Sequence, residues 1–90
     1  MILLDVLGRR WALRVIWELH DGALGFRELR TACGNLSPTI LSRRVQELCE
    51  LRIVEKDCYG NYMLNCRGAA LVKLLLPLHE WAEQWSRSVS

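Results

Sequence analysis

Hydrophobic and polar positions separate into two helical faces along residues 37–51. The apolar positions recur about one turn apart and predict one buried stripe, formed by Leu41, Val45, Leu48 and Cys49. Hydrogen-bonding side chains follow the same period on another face: Thr39, Ser42, Arg43 and Gln46. Ser37 is a favourable N-cap and Pro38 a favourable first helical residue. The pattern therefore predicts a helix with a sharply marked start and a polar face near that start.

Apolar periodicity also predicts two helical segments before this one. The first region covers residues 1–21, with Gly8 as a candidate break, and its compact apolar face consists of Ala12, Val15, Ile16 and Leu19, with Trp11 beside it. Asp21 and Gly22 should end it, and a short extended piece follows at residues 23–25. Residues 26–33 read as a second helix, with Arg30 on its solvated side, and Gly34-Asn35 is a turn signal. Residues 26–51 thus form a predicted helix-turn-helix.

Two short segments after the helix-turn-helix, residues 53–58 and 62–64, have the β-branched and aromatic content of strands. Gly60-Asn61 offers a two-residue hairpin turn, and Tyr59 and Tyr62 could pair across the strands. The order of elements predicts a mainly α fold with a small β-hairpin wing over residues 53–64. We expect a single winged helix-turn-helix domain over residues 1–90.

The last segment, residues 65–88, predicts a long helix that begins at Asn65 as N-cap. Alternating three- and four-residue steps form the seam of a helix pair: Leu71, Leu74, Leu78, Trp81 and Trp85. Further apolar positions widen this surface, and one small domain can cover only one side of such a helix. We expect Pro77 to kink it. We interpret this helix as a homodimer interface, assisted by Leu3 and Leu4 of the partner's N-terminus; the alternative is a helix folded wholly onto its own domain.

Composition adds few constraints. The 90 residues are 51% hydrophobic and 24% charged, and the net charge of +2 permits an anionic partner without requiring one. No apolar run has the length of a membrane span, and the first residues do not form a signal peptide, so we expect a cytoplasmic protein without membrane contact. The four cysteines lack metal-ligand spacing, and no catalytic motif is visible. We therefore expect no metal, no cofactor and no enzymatic activity.

Four segments, in this order and covering nearly the whole chain, resemble the HxlR-type winged-helix transcriptional regulators of bacteria, relatives of the MarR and ArsR groups. They are LGRRWALRVIWEL, the F-x-E-L of residues 26–29, SPTILSRRVQEL, and YMLNCRGAALVKLLLPLHEWAEQW. The resemblance implies a homodimeric regulator that binds double-stranded DNA at an inverted-repeat operator, and hence a place at the nucleoid. It puts the helix of residues 37–51 in the major groove and the wing against the DNA backbone or minor groove.

Several residues are candidates for DNA contact. The resemblance places Ser37, Thr39, Ser42, Arg43 and Arg44 where the family's recognition helix meets DNA. The guanidinium groups of Arg43 and Arg44 are candidates for bidentate contacts to guanine edges or phosphates. Thr39, Ser42 and Gln46 could tune base preference. Arg27 stands where the family usually has a small capping residue, so we expect it to reach a phosphate instead.

The sequence departs from the family's pattern in three ways. The wing is shorter than is usual, which leaves Lys56, Tyr59, Asn61 and Tyr62 as its polar and aromatic residues and weakens the expectation of minor-groove contact. Arg52 occupies a place where glycine often ends the recognition helix, so it is expected to adopt a left-handed conformation. Many relatives carry a cysteine just before the first helix; none of the four cysteines falls there, so thiol sensing is not carried over.

Two other classes of function remain open. The small net charge, the short wing, and Glu47, Glu50 and Glu55 favour a protein–protein interaction module without sequence-specific DNA binding. A sensor is the third class: Trp17, Trp81 or Trp85 could line a groove for an aromatic effector, and Cys33, Cys58 or Cys66 could act as a thiol switch. We favour packing roles for the tryptophans and unreactive thiols for the cysteines, and leave the effector unknown.

Overall fold

The computed structural model of the chain describes residues 2–89. The elements in this range are α1 (Ile2–Leu7), α2 (Ala12–Glu18), α3 (Phe26–Ala32), α4 (Pro38–Glu50), β1 (Val54–Lys56), β2 (Tyr62–Leu64) and α5 (Cys66–Val89). Helices α3 and α4 form the helix-turn-helix, and the antiparallel β1–β2 hairpin forms the wing. The predicted mainly α, winged helix-turn-helix architecture is confirmed.

The N-terminal helical region is broken after Leu7. A linker of residues 8–11 separates α1 from α2, and Trp11 has a left-handed backbone conformation with φ of 76°. A non-glycine residue in this conformation costs roughly 1 kcal/mol, which packing of Trp11 against the core must offset. Helix α2 ends at Glu18 with Leu19 as C-cap, so the prediction that Asp21-Gly22 directly terminates this helix was wrong. Gly22 has a positive φ of 144°, but in the turn that follows.

Both predicted apolar stripes form the core. Ala12, Val15, Ile16 and Leu19 are buried along α2 and its C-cap, and α2 contacts α1, α3, α4 and α5. Helix α4 buries its predicted stripe of Leu41, Val45 and Leu48 in the same core, with Cys49 half-buried. Burial of one face of α4 leaves its opposite face in solvent.

The turn between α3 and α4 is fixed by Arg30. Its Nε donates to the carbonyl oxygen of Leu36 at 2.7 Å, across Gly34 and Asn35, which both have positive φ. The expectation that Arg30 lies on a solvated face was therefore wrong. The Arg30 side chain can reach the Leu36 carbonyl only because the turn folds the chain before α4 against the end of α3. The local periodicity of α3 does not reveal this contact.

The wing loop differs from the predicted two-residue turn. In β1–β2, Lys56 pairs with Tyr62, and the amide of Asp57 donates to the carbonyl of Asn61 at 2.8 Å. The loop is therefore residues 58–60, with Gly60 left-handed at φ of 84°. Asp57 explains the three-residue loop. Its Oδ1 accepts hydrogen bonds from the amides of Tyr59 and Asn61, which favours a type I turn closed by a left-handed glycine. Tyr59 consequently does not lie opposite Tyr62.

The predicted extended piece at residues 23–25 forms only an isolated bridge, in which the amide of Leu24 donates to the carbonyl of Tyr62 at 2.9 Å and Tyr62 donates back at 2.8 Å. Arg52, as expected, is left-handed with φ of 59°. It lies between α4 and the wing and turns the chain from one into the other.

Helix α5 begins as predicted, because Oδ1 of Asn65 accepts from the amide of Gly68 at 3.0 Å. Gly68 is a position of close approach: a Cβ there would lie 2.5 Å from the carbonyl oxygen of Ile53. The helix continues through Pro77 to Val89. None of the helices within residues 2–89 is long and apolar enough to cross a membrane.

Candidate nucleic-acid interface

Helix α4 presents the predicted polar face to solvent. Thr39, Ser42, Arg43 and Gln46 are all exposed, on the side of the helix away from the buried stripe. Ser37 is the N-cap residue and Pro38 the first helical residue, as predicted. The Ser37 hydroxyl forms no capping hydrogen bond, so it is available to an external group beside the positive end of the helix dipole.

Arg44 does not share this exposed face. Its Nε donates to the carbonyl oxygen of Arg10 at 2.9 Å, and its Nη1 lies 2.7 Å from Oε1 of Glu47, one turn further along α4. Only 15% of the Arg44 side chain is exposed. The expectation of two adjacent free guanidinium groups is therefore corrected to one, because Arg44 points along the flank of α4 that packs against the α1–α2 linker.

Glu47 also forms an ion pair with Arg9, so one carboxylate joins two arginines from distant parts of the chain. The sequence placed Glu47 among the acidic residues that favoured protein–protein assembly. The three-residue spacing of Arg44 and Glu47 is a recognisable pairing signal. The contribution of Arg9 had no such signal, since it depends on how the linker crosses α4.

Arg27 is exposed at the second position of α3. The cap of this helix is Gly25, whose amide donates to Oε1 of Glu28 at 3.1 Å. Arg27 therefore does not occupy the capping position, and the comparison with a small capping residue at that site was wrong. Its exposed guanidinium remains compatible with a phosphate contact.

The wing residues proposed for DNA contact are placed differently from one another. Lys56 and Tyr59 are exposed, and Nζ of Lys56 lies 5.5 Å from the centre of the Tyr62 ring. Asn61 is half-buried and holds the loop through its backbone contacts with Asp57. Lys56 and Tyr59 can therefore reach an external partner more readily than Asn61.

Helix α5 has two apolar faces. On the inner face, Gly68 and Val72 are buried, Leu75 packs against the core, and the His79 ring stacks on Trp17 of α2 at 4.6 Å between centroids. The second face lies roughly 100° around the helix and carries four exposed residues of the predicted seam: Leu74, Leu78, Trp81 and Trp85. Leu74 is 74% exposed and Trp81 60%.

Leu71 differs from the other seam residues, because it is half-buried against the chain's own core. Leu3 and Leu4 are exposed on α1. The predicted contact surface of α5 therefore begins at Leu74.

A groove of about 430 Å³ separates α2 from α5 and is lined by Trp17, Leu75 and His79, with Arg14 and Glu18 at one side. Trp81 and Trp85 do not line it.

Among the thiols, Cys58 and Cys66 are exposed, whereas burial raises the pKa of Cys33 and Cys49. No cluster of three or more potential metal-ligating side chains occurs within residues 2–89.

Comparison with known proteins gives one consistent family. The model of the HxlR-like helix-turn-helix family matches residues 6–90. The HTH-type transcriptional regulator YvaP of Bacillus subtilis, itself uncharacterized, is 32% identical over 87 residues, covering 90% of this chain and 81% of YvaP. The regulator YodB of the same organism is 30% identical over 87 residues, covering 90% of this chain and 78% of YodB.

Solved structures agree with this result. Quinone-bound YodB superposes with a TM-score of 0.82 at 32% identity, covering 91% of this chain and 92% of that one. A possible HxlR family transcriptional factor from Thermoplasma volcanium gives a TM-score of 0.85 at 28% identity, covering 94% and 82% of the two chains. These relatives are transcriptional regulators and not enzymes. The chain belongs to the HxlR-like helix-turn-helix family of transcriptional regulators.

Proposed function

We propose that this protein regulates transcription by binding double-stranded DNA sequence-specifically, as a homodimer on an inverted-repeat operator. The observation that carries the proposal is the solvent-facing polar face of α4, opposite the buried side chains of Leu41, Val45 and Leu48 and within a helix-turn-helix. A helix of about 10–12 Å diameter fits a major groove about 12 Å wide, where base edges present hydrogen-bonding groups. Such a regulator acts in the cytoplasm, at the nucleoid.

Base reading is assigned to the exposed residues near the start of α4. Arg43 is the candidate for a bidentate contact to a guanine, and Thr39, Ser42 and Gln46 are candidates for contacts that tune base preference. The Ser37 hydroxyl, which makes no capping hydrogen bond, is a candidate for a phosphate contact. Arg44 is proposed to act through the protein, because its donors already bind Arg10 and Glu47.

The wing and α3 supply backbone contacts in this proposal. Lys56 and Tyr59 are exposed on the hairpin and Arg27 on α3, so each can approach a phosphate. Asn61 contributes mainly by holding the loop. A three-residue loop reaches a shorter distance than a long wing, so more of the sequence discrimination rests on α4.

Dimerisation is proposed through the exposed seam of α5, with Leu3 and Leu4 of the partner's α1 beside it. Four large apolar side chains on one line are costly to leave in water, and a second copy of the same seam would cover them. A two-fold dimer would then place its two α4 helices in successive major grooves, about 34 Å apart.

The test is selection of duplexes from fragmented genomic DNA by the purified protein, followed by titration of a selected duplex and a scrambled duplex. We expect an inverted repeat among the selected sequences and tighter binding of the selected duplex. Arg43→Ala should reduce that preference, whereas Lys73→Ala, which removes an exposed positive charge from α5, should not reduce it. Failure to retard any duplex at low salt would refute the proposal and favour a protein–protein interaction module.

A further inference from the structure

The α1–α2 linker is bound to the recognition helix at two points. Arg44 donates from Nε to the carbonyl of Arg10 at 2.9 Å, and Glu47 forms an ion pair with Arg9. The amide of Arg9 donates to the carbonyl of Val6 at 3.1 Å and its own carbonyl accepts from Ala12 at 3.2 Å. The backbone on either side of Arg10 is therefore fixed relative to α4.

The position of this linker follows from the helical geometry of α4. Arg43, which belongs to the exposed polar face, is one residue before Arg44 and one turn before Glu47. The linker therefore packs on the flank of α4 immediately beside Arg43, between the exposed polar face and the buried face of this helix. A helix that fills the major groove has the phosphate backbone on its flanks.

The charges of the two linker arginines are used differently. Arg9 forms an ion pair with Glu47, whose carboxylate it shares with Arg44. Arg10 is exposed and, within residues 2–89, forms no ion pair; its guanidinium lies 5.6 Å from the centre of the Trp11 ring. Contact with the ring restricts the guanidinium without neutralising it, which leaves its donors free for an anion.

Trp11 supports the same arrangement. It is half-buried against the core and holds a left-handed φ of 76°, although it is not glycine. Non-glycine residues in this conformation are uncommon and persist only where the surroundings fix them. Here the strained residue directly follows Arg10 and sets the direction in which the linker enters α2.

We propose that Arg10 is a DNA phosphate-binding residue, held by the Arg44–Glu47 contacts at the edge of the groove that α4 enters. This inference rests on the proposed function and adds a further contact to the DNA backbone, from a part of the chain outside the helix-turn-helix and the wing. A phosphate contact carries no sequence information, so it should contribute equally on every duplex.

The experiment measures binding of the full chain to the selected and the scrambled duplex over a series of salt concentrations, by fluorescence anisotropy. Arg10→Ala should weaken binding to both duplexes by the same factor, about ten-fold per protomer at low salt, the lower end for a hydrogen bond to a charged group. The slope of log K against log salt should become shallower by about 0.9 per protomer. Arg10→Lys should retain most of the affinity and most of the salt slope, because an ammonium also binds phosphate.

Two controls separate this role from a structural one. Lys73→Ala removes an exposed positive charge from α5 and should leave the slope unchanged. Thermal unfolding of Arg10→Ala should match that of wild type, since the Arg10 carbonyl, which Arg44 binds, is retained. An unchanged slope in Arg10→Ala, a loss confined to the selected duplex, or a loss explained by unfolding would overturn the inference while leaving the proposed function intact. Absence of DNA binding by the wild type would instead overturn the proposed function.

Discussion

Oε1 of Glu47 lies 2.7 Å from Nη1 of Arg44, and the two side chains are only 13% and 15% exposed. The same arginine binds the carbonyl of Arg10, so one guanidinium joins α4 both to Glu47 and to the α1–α2 linker. Arg43, its neighbour in the sequence, points into solvent. Two adjacent arginines of the recognition helix thus have different roles, one within the protein and one toward its partner.

This difference predicts opposite effects for two substitutions. Arg44→Ala should lower the free energy of unfolding by about 2 kcal/mol, because it removes two hydrogen bonds of a mostly buried guanidinium, one of them to a carboxylate. Arg43→Ala should change stability by less than about 0.5 kcal/mol, as an exposed surface substitution. Urea unfolding of both variants measures this, and equal stabilities would contradict the assignment.

The α5 seam predicts the oligomeric state. Wild type should sediment as a dimer, and Leu78→Glu should give a folded monomer, because a charge in the middle of the seam cannot be buried without a partner. Lys73→Glu, which introduces the same side chain about 100° around α5 from Leu74, should leave the dimer intact. The measurement is sedimentation equilibrium, with circular dichroism to verify folding. A dimeric Leu78→Glu variant would place the interface elsewhere.

At Gly68, replacement by alanine should change the free energy of unfolding in the direction opposite to that usual within a helix. Replacement of glycine by alanine within a helix normally stabilises it by about 1 kcal/mol. At Gly68 the new Cβ would lie 2.5 Å from the carbonyl oxygen of Ile53, so Gly68→Ala should destabilise the protein by roughly 1–3 kcal/mol. Urea unfolding decides the sign, and a stabilised variant would show that α5 does not approach the wing this closely. Ala70→Gly, at an exposed position of the same helix, is the matched control and should cost about 1 kcal/mol.

The cysteines should divide into two classes by reactivity. Burial raises the pKa of the Cys33 thiol, an effect partly opposed by Arg14 and reinforced by Glu18. In the native protein, iodoacetamide should modify the exposed Cys58 and Cys66 readily at pH 8, and Cys33 only after unfolding; peptide mapping by mass spectrometry measures this. Rapid native modification of Cys33 would contradict its burial.

The same raised pKa gives a pH dependence of stability. The unfolded thiol ionises first, so the folded state holds more protons between the ordinary thiol pKa and the raised one. The contribution of Cys33 is therefore fully present below the ordinary value and is lost as pH rises through the raised value. Cys33→Ala should reduce the fall in unfolding free energy above that ordinary value, and an unchanged pH profile would argue against this origin.

Local patterns were sufficient for most of the architecture. The stripe of Leu41, Val45 and Leu48 could be read from the sequence because burial repeats with the helical period. Ser37-Pro38 and Asn65 marked helix starts because capping depends on neighbouring residues alone. The wing loop was misread where Gly60-Asn61 was given more weight than the Asp57 side chain, although both signals are local.

The tertiary structure decided what could not be read from local patterns, namely which polar residues of α4 face outward. Arg43 and Arg44 are chemically identical and adjacent in the sequence, and helical periodicity alone put both beside the polar face. The path of the α1–α2 linker separates them, because it brings the carbonyl of Arg10 and the guanidinium of Arg9 to the flank of α4. The sequence by itself determined the helices, the wing and the buried faces, since these depend on short-range periodicity and capping. Only the packing of distant segments determined which arginine binds within the protein and which remains exposed, because contacts between residues more than thirty positions apart leave no local pattern.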